Sequence, residues 1–124
     1  MVKPSRAAIA AAARKKLAAA REGLPPGRVT LRMLGFAAEA AFAVPIEDIL
    51  GPRRMKPLQP PRRAIVLFGR ERLRRSYPEI GRYLNRDNKT AIHARKQCER
   101  NLAEDPDFAA RCAAVEALLW PPPS

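Results

Sequence analysis

Apolar residues along this chain recur at intervals of three and four, with no run of alternating β-branched residues, so the pattern predicts an all-α protein. Residues 5–22 are alanine-rich and carry Arg6, Arg14, Lys15, Lys16 and Arg21, a composition with strong intrinsic helix preference, and Gly23-Leu-Pro-Pro-Gly27 ends the segment. Thr30 can cap a second helix with Leu31, Leu34, Ala38, Ala41 and Phe42 on one face, finishing before Pro45. A short turn from Ile46 to Leu50 stops at Gly51-Pro52. From Pro61 to about Arg75 a longer helix offers Ile65, Phe68 and Leu73 to the core and leaves Arg62, Arg63, Arg70 and Arg74 to solvent or a partner. A last helix runs from about Pro106 to Trp120, with Asp105 as its cap and Phe108, Cys112, Val115 and Leu119 along one face.

Between these lies the most informative stretch, Ser76 to Ala94. Pro78 and Glu79 suit the first turn of a helix, where proline loses no hydrogen bond and a carboxylate complements the positive helix end. Ile80 and Leu84 give that helix one apolar face. Asn85, Arg86 and Asp87 break the pattern, and Asp87 or Asn88 can cap the helix that follows. There Ala91, Arg95, Cys98 and Leu102 share one stripe while Lys89, Thr90, His93 and Lys96 project elsewhere. Helix, tight polar turn, helix is a helix-turn-helix, whose second helix can pack on one side and read a DNA groove on the other. The predicted core is Leu31, Leu34, Phe42, Ile65, Phe68, Ile80, Leu84, Ile92 and Leu102.

Charge supports a polyanionic partner. Lys and Arg number 24 against 12 acidic residues, a formal net charge of +12 that attracts nucleic acid or an acidic membrane. It is unevenly placed: Arg53 to Arg75 holds nine basic residues and one Glu, whereas from Glu104 onward four acidic residues face one Arg. The scarcity of aromatics counts against stacking on single strands, and a single helix suits the wide major groove of B-form DNA better than the deep, narrow one of RNA. The apolar N-terminal stretch is broken by Arg14, Lys15 and Lys16 well short of a bilayer crossing. Cys98 and Cys112 lack metal or redox spacing, so two reduced, partly buried thiols in a cytoplasmic protein are expected, with no metal and no cofactor. One His and three scattered Ser give no nucleophile–base pair, so no catalysis is expected.

Pro78, Glu79, Ile80, Gly81, Arg86, Asp87, Thr90, His93 and Ala94 also fall where a known signature has them. The chain resembles the C-terminal DNA-binding domain of the bacterial DnaA replication-initiator family, in which Leu-Pro-Glu-Ile-Gly is followed by Gly-Gly-Arg-Asp-His-Thr-Thr-Val-Leu-His-Ala. Val44 to Arg54 is similar to that family's short helix and basic loop, and Pro61-Arg62 opens a matching long helix that ends near Arg70-Glu71. The resemblance covers residues 28–103 and implies a small helical bundle of the DnaA domain IV, Trp-repressor-like type. Residues 1–27 are then a basic arm and linker, 104–120 a helix packed on the domain, and 121–124 a proline tail or the start of a linker. The arm reads equally as a phosphate-contacting element and as an ordinary solvent-facing helix.

By resemblance, Asp87, Asn88, Lys89, Thr90 and His93 lie where the family's second helix meets base edges, and each has suitable chemistry. Arg53, Arg54, Lys56, Arg62, Arg63, Arg86 and Lys96 are the candidate phosphate contacts. Three departures stand out. The family's His-Thr-Thr is here Asn88-Lys89-Thr90, the turn is one residue shorter, and the arginine that family members insert into the minor groove aligns with Pro60, leaving Lys56 or Arg62 to substitute. A GxxxxGK[ST] phosphate loop is lacking, so the expected role is a DNA-binding module detached from the ATPase and acting on double-stranded DNA as a transcription regulator. A phage, prophage or gene-transfer-agent setting is inferred from the missing ATPase alone. Without a heptad seam a nucleoid-associated monomer is expected, with RNA polymerase or another protein reached only through a region outside the chain. The rival readings are a protein-interaction or non-specific DNA-binding module and a replication-initiation accessory protein.

Overall fold

Ser5, Thr30, Ser76, Asp87 and Asp105 each accept a hydrogen bond from the backbone amide three residues ahead, and these five side chains fix where five helices begin. The structure, a computed structural model, describes residues 3–122, so Pro123 and Ser124 of the proline tail lie outside the described residues. Its helices are α1 (Arg6–Arg21), α2 (Leu31–Phe42), α3 (Ile46–Ile49), α4 (Gln59–Glu71), α5 (Tyr77–Leu84), α6 (Asn88–Glu104) and α7 (Pro106–Leu119), with a 3₁₀ turn at Lys56–Leu58 before α4. No strand occurs among the described residues, and the fold is all-α as the periodicity predicts. The main boundary difference is at α4, which starts at Gln59 and ends at Glu71, where the resemblance ends it, rather than near Arg75 as the periodicity alone suggests. Arg74 takes a left-handed conformation (φ 55°), which turns the chain into α5.

Helix α2 is the centre of the bundle. All of Met33 to Phe42 is buried, with α1, α4 and α7 packed around it. Helix α1 contributes Ala13 and Leu17, both essentially inaccessible, and α7 contributes Phe108, whose ring lies 6.1 Å from that of Phe42. The carbonyls that end α2 are met by arginines from its neighbours: Arg111 Nη1 donates to Ala41 O (3.0 Å) and Arg6 Nη2 to Phe42 O (3.5 Å). Glu39, on α2, is buried; Lys16 of α1 donates to both its oxygens at 3.1 Å, and the Ile46 amide of α3 to one of them at 2.9 Å. A buried carboxylate is tolerable only with such partners. Helix α1 is therefore joined to the body by packing and by the Lys16–Glu39 pair.

The helix-turn-helix seats on this core through close approaches. A Cβ at Gly35 would lie 1.8 Å from the Tyr83 hydroxyl, so α5 reaches α2 only because position 35 has no side chain. Burial there pushes the Tyr83 phenol up to about 12. Of the predicted core, Leu34, Phe42, Ile65, Phe68, Ile80 and Leu84 are buried, and Leu31 and Ile92 are half-buried. Leu102 is the exception at 37 % exposed, because it sits on the rim of a groove where α4, α6 and α7 meet, beside Leu67, Phe68 and Cys112. Cys98 and Cys112 are free and buried; burial raises their thiols to about 11 and about 12. The bundle closes at its far corner where Trp120 packs on Phe68 at 5.8 Å and the Arg72 guanidinium lies 4.2 Å above the indole ring.

Candidate nucleic-acid interface

The turn between α5 and α6 is built by three adjacent residues. Asn85 adopts the left-handed conformation (φ 57°) that asparagine tolerates better than most residues, and the Arg86 amide reaches back to Gly81 O at 2.8 Å, a Schellman-type end to α5. Where the related family uses two glycines, one asparagine serves, which accounts for the shorter turn. Gly81 is required by proximity: a Cβ there would lie 2.7 Å from Arg86 O. At the other end of α5, Ser76 and Glu79 exchange reciprocal bonds at 3.2 Å, a capping box that holds the Glu79 carboxyl below its usual range.

Asp87 then caps α6. Its carboxylate accepts from the Thr90 amide at 2.7 Å, and hydrogen bonding from Thr90, aided by the fields of Lys89 and Arg54, holds its carboxyl below the ordinary value. Asn88, Lys89 and Thr90 are all exposed in the first turn, and Lys89, His93, Lys96 and Arg100 continue as an exposed stripe at spacings of four, three and four. On the opposite side Ala91 and Cys98 are buried. Of the five candidate base readers, four lie free on one exposed surface, while Asp87 has one oxygen engaged as the helix cap.

The candidate phosphate contacts divide differently. Arg53, Arg54, Lys56 and Lys96 are exposed. Arg62 is not: it is 5 % exposed, with Nε donating to Ile49 O (2.7 Å), Nη1 to Arg53 O (2.7 Å), and Nη2 to Asp48 O and Gly51 O (both 2.9 Å). Its expected phosphate contact is therefore corrected, as is its suggested place in the minor groove. The guanidinium is the internal tie that shapes the loop, and its pKa is lowered by burial and by nearby Arg86. Arg63 runs along α6 to Asn101 Oδ1 (3.2 Å), roughly 20 Å from the helix start at 1.5 Å per residue. Arg86 is half-buried and donates to Leu84 O (3.3 Å), Asn85 O (3.1 Å), Gly51 O (2.6 Å) and Arg53 O (3.5 Å). Asn85 Nδ2 adds a bond to Leu50 O at 3.0 Å.

These bonds turn the carbonyls of residues 48–53 inward and join the loop to α4 through Arg62 and to the helix-turn-helix through Asn85 and Arg86. Arg53 and Arg54 are left facing solvent next to α6. Composition and periodicity do not disclose this arrangement, because a run of arginines reads as uniformly basic surface whichever of its members is buried. The one available signal was the density of carbonyl-ending turns at Gly51-Pro52, which need donors from elsewhere.

The helix-turn-helix and the loop coincide with the region that matches known proteins: residues 37–98 fit the family described as bacterial dnaA protein helix-turn-helix. The chain belongs to this family. Among similar proteins are the chromosomal replication initiator protein DnaA of Citrifermentans bemidjiense, 31 % identical over 93 residues, and that of Sphingopyxis alaskensis, 32 % identical over 93; each alignment covers 74 % of this chain and 20 % of the relative. The Enterococcus faecalis DnaA is 30 % identical over 79 residues, covering 63 % of this chain and 18 % of the relative. The chain thus spans about a fifth of the length of the curated relatives it matches. It carries the DnaA family's DNA-binding helix-turn-helix, and among the described residues no helix is long and apolar enough to cross a membrane.

Proposed function

We propose that the chain binds double-stranded DNA sequence-specifically, with the first turns of α6 in the major groove and the 50–58 loop against the backbone, and that it acts as a transcription regulator by binding rather than by catalysis. The supporting observation is the rigid pairing of two exposed sets: Asn88, Lys89, Thr90 and His93 on one helix end, and Arg53, Arg54 and Lys56 on a loop tied to that end by Asn85 and Arg86. The first set has base-reading chemistry, while the second supplies charge without sequence information. Asp87, as the cap, presents only its remaining oxygen to a base. The relatives' names favour a second role, as an accessory of replication initiation, with the same DNA contacts.

Selection of binding sites from a random duplex library, followed by affinities for the winner and a scrambled control at two salt concentrations, tests the reading. An enriched site is expected. Lys89→Ala or His93→Ala should lose about 1–3 kcal/mol at that site if a good base contact is removed, whereas Arg54→Ala should weaken all duplexes alike and make the salt dependence shallower. No enrichment, with binding that vanishes as salt rises, would overturn sequence specificity and leave a non-specific or protein-interaction module.

A further inference from the structure

A second basic element lies outside the residues that match the family. Residues 1–21 carry six Lys or Arg and no acid, and Lys16 is the member of that set paired with a carboxylate. Because α1 is anchored by Ala13, Leu17 and the Lys16–Glu39 pair, its leading end has a fixed position, and that position is beside the basic loop. Lys3, Pro4 and Ile9 line a cleft of about 410 Å³ together with Arg53, Met55 and Pro57 of the loop. Met55 is 57 % exposed, the most exposed large apolar side chain described. Asp48 is the one carboxylate in the lining.

We propose that this cleft holds the sugar–phosphate backbone of the same DNA duplex beyond the site read by α6, so that Lys3 and Arg53 clamp a flanking strand and the N-terminal segment lengthens the footprint. The proposal rests on the reading of the loop as DNA-facing. Two observations carry it: the cleft is continuous with the loop that bears Arg53, Arg54 and Lys56, and its chemistry matches one strand of a duplex. Apolar walls accommodate the hydrocarbon faces of deoxyribose while cations stand where phosphates pass. An acidic protein segment would satisfy the cations and leave the apolar lining without a counterpart of fixed spacing.

The experiment uses the full chain with its selected duplex, either ending at the site or extended by about one helical turn on the loop side. Wild type should bind the extended duplex several-fold tighter. Lys3→Gln should lose that gain and show a salt slope shallower by about 0.9, the value of one phosphate contact. Lys15→Gln, about two and a half turns into α1, should behave as wild type, which separates a local contact from a general effect of charge. The inference is overturned, with DNA binding intact, if Lys3→Gln matches wild type on both duplexes or if the two variants weaken binding equally. Lys3-dependent binding of polyglutamate without any effect of flank length would instead assign the cleft to an acidic protein segment. Failure of the wild type to bind either duplex would overturn the DNA reading itself.

Discussion

Replacing Arg62 with Met distinguishes an internal tie from a phosphate contact. Methionine keeps most of the buried stem and removes all four donated bonds, leaving the carbonyls of Asp48, Ile49, Gly51 and Arg53 short of a donor. Bonds from a charged donor are each worth about 1.5–3 kcal/mol, but they are not additive. The lost desolvation penalty of a buried guanidinium beside Arg86 offsets part of the sum. A net loss of about 3 kcal/mol is expected, since Gly51 O and Arg53 O keep Arg86 as a donor. For a domain of this size that lowers Tm by about 10 °C. The assay is thermal unfolding followed by circular dichroism, paired with duplex affinity across a salt series. The variant should melt early and, at a temperature where it is folded, lose affinity for all duplexes because Arg53 and Arg54 are no longer held. An unchanged Tm together with a salt slope shallower by about one unit would refute this argument and restore Arg62 to the phosphate backbone.

Other consequences are equally direct. Gly81→Ala forces a Cβ to within 2.7 Å of the Arg86 carbonyl, so it should cost about 2–3 kcal/mol by chemical denaturation and abolish selection between duplexes while helix content remains near wild type; full retention of specificity would contradict the close approach. Lys16→Ala leaves the Glu39 carboxylate buried with the Ile46 amide alone, at a cost of about 2 kcal/mol after allowing for the exposure of Lys16, and the same change in a Glu39→Gln background should cost much less; additive losses would show that the pair is not coupled. The thiols of Cys98 and Cys112 are raised in the folded protein, so the unfolded chain releases their protons first and stability should fall as pH climbs from about 8.5, the ordinary value for cysteine, toward 11. Urea unfolding at increasing pH measures this, and Cys98→Ala with Cys112→Ala should flatten the decline.

The sequence by itself determined the elements and the order in which they come. Thr30, Asp87 and Asp105 announced helix starts because a cap acts on amides only three residues away, and the apolar faces of α2, α4 and α5 followed from a period that the backbone imposes locally. The exposed positions Asn88, Lys89, Thr90 and His93 are legible for the same reason: once Ala91 and Cys98 face inward, their helical neighbours must face out. What the tertiary structure decided is which of many similar residues do which task. Arg53, Arg54, Arg62, Arg63 and Arg86 are one chemical type in the sequence, yet folding places one inside a ring of carbonyls, two on internal bonds and two in solvent, since burial of the Arg62 guanidinium on α4 depends on acceptors brought to it from α3 and the loop that follows. Leu102 keeps its helical spacing and still emerges partly at the surface, because it sits on the rim of the groove between α4, α6 and α7 rather than beneath a neighbouring helix. Helix α1 reads in the sequence equally as a phosphate-contacting element and as a solvent-facing helix, and only the fold brings its Lys16 to Glu39, a residue eighteen positions beyond its end. Local periodicity fixes the direction each side chain leaves its own helix, whereas its partner is fixed only when distant segments meet.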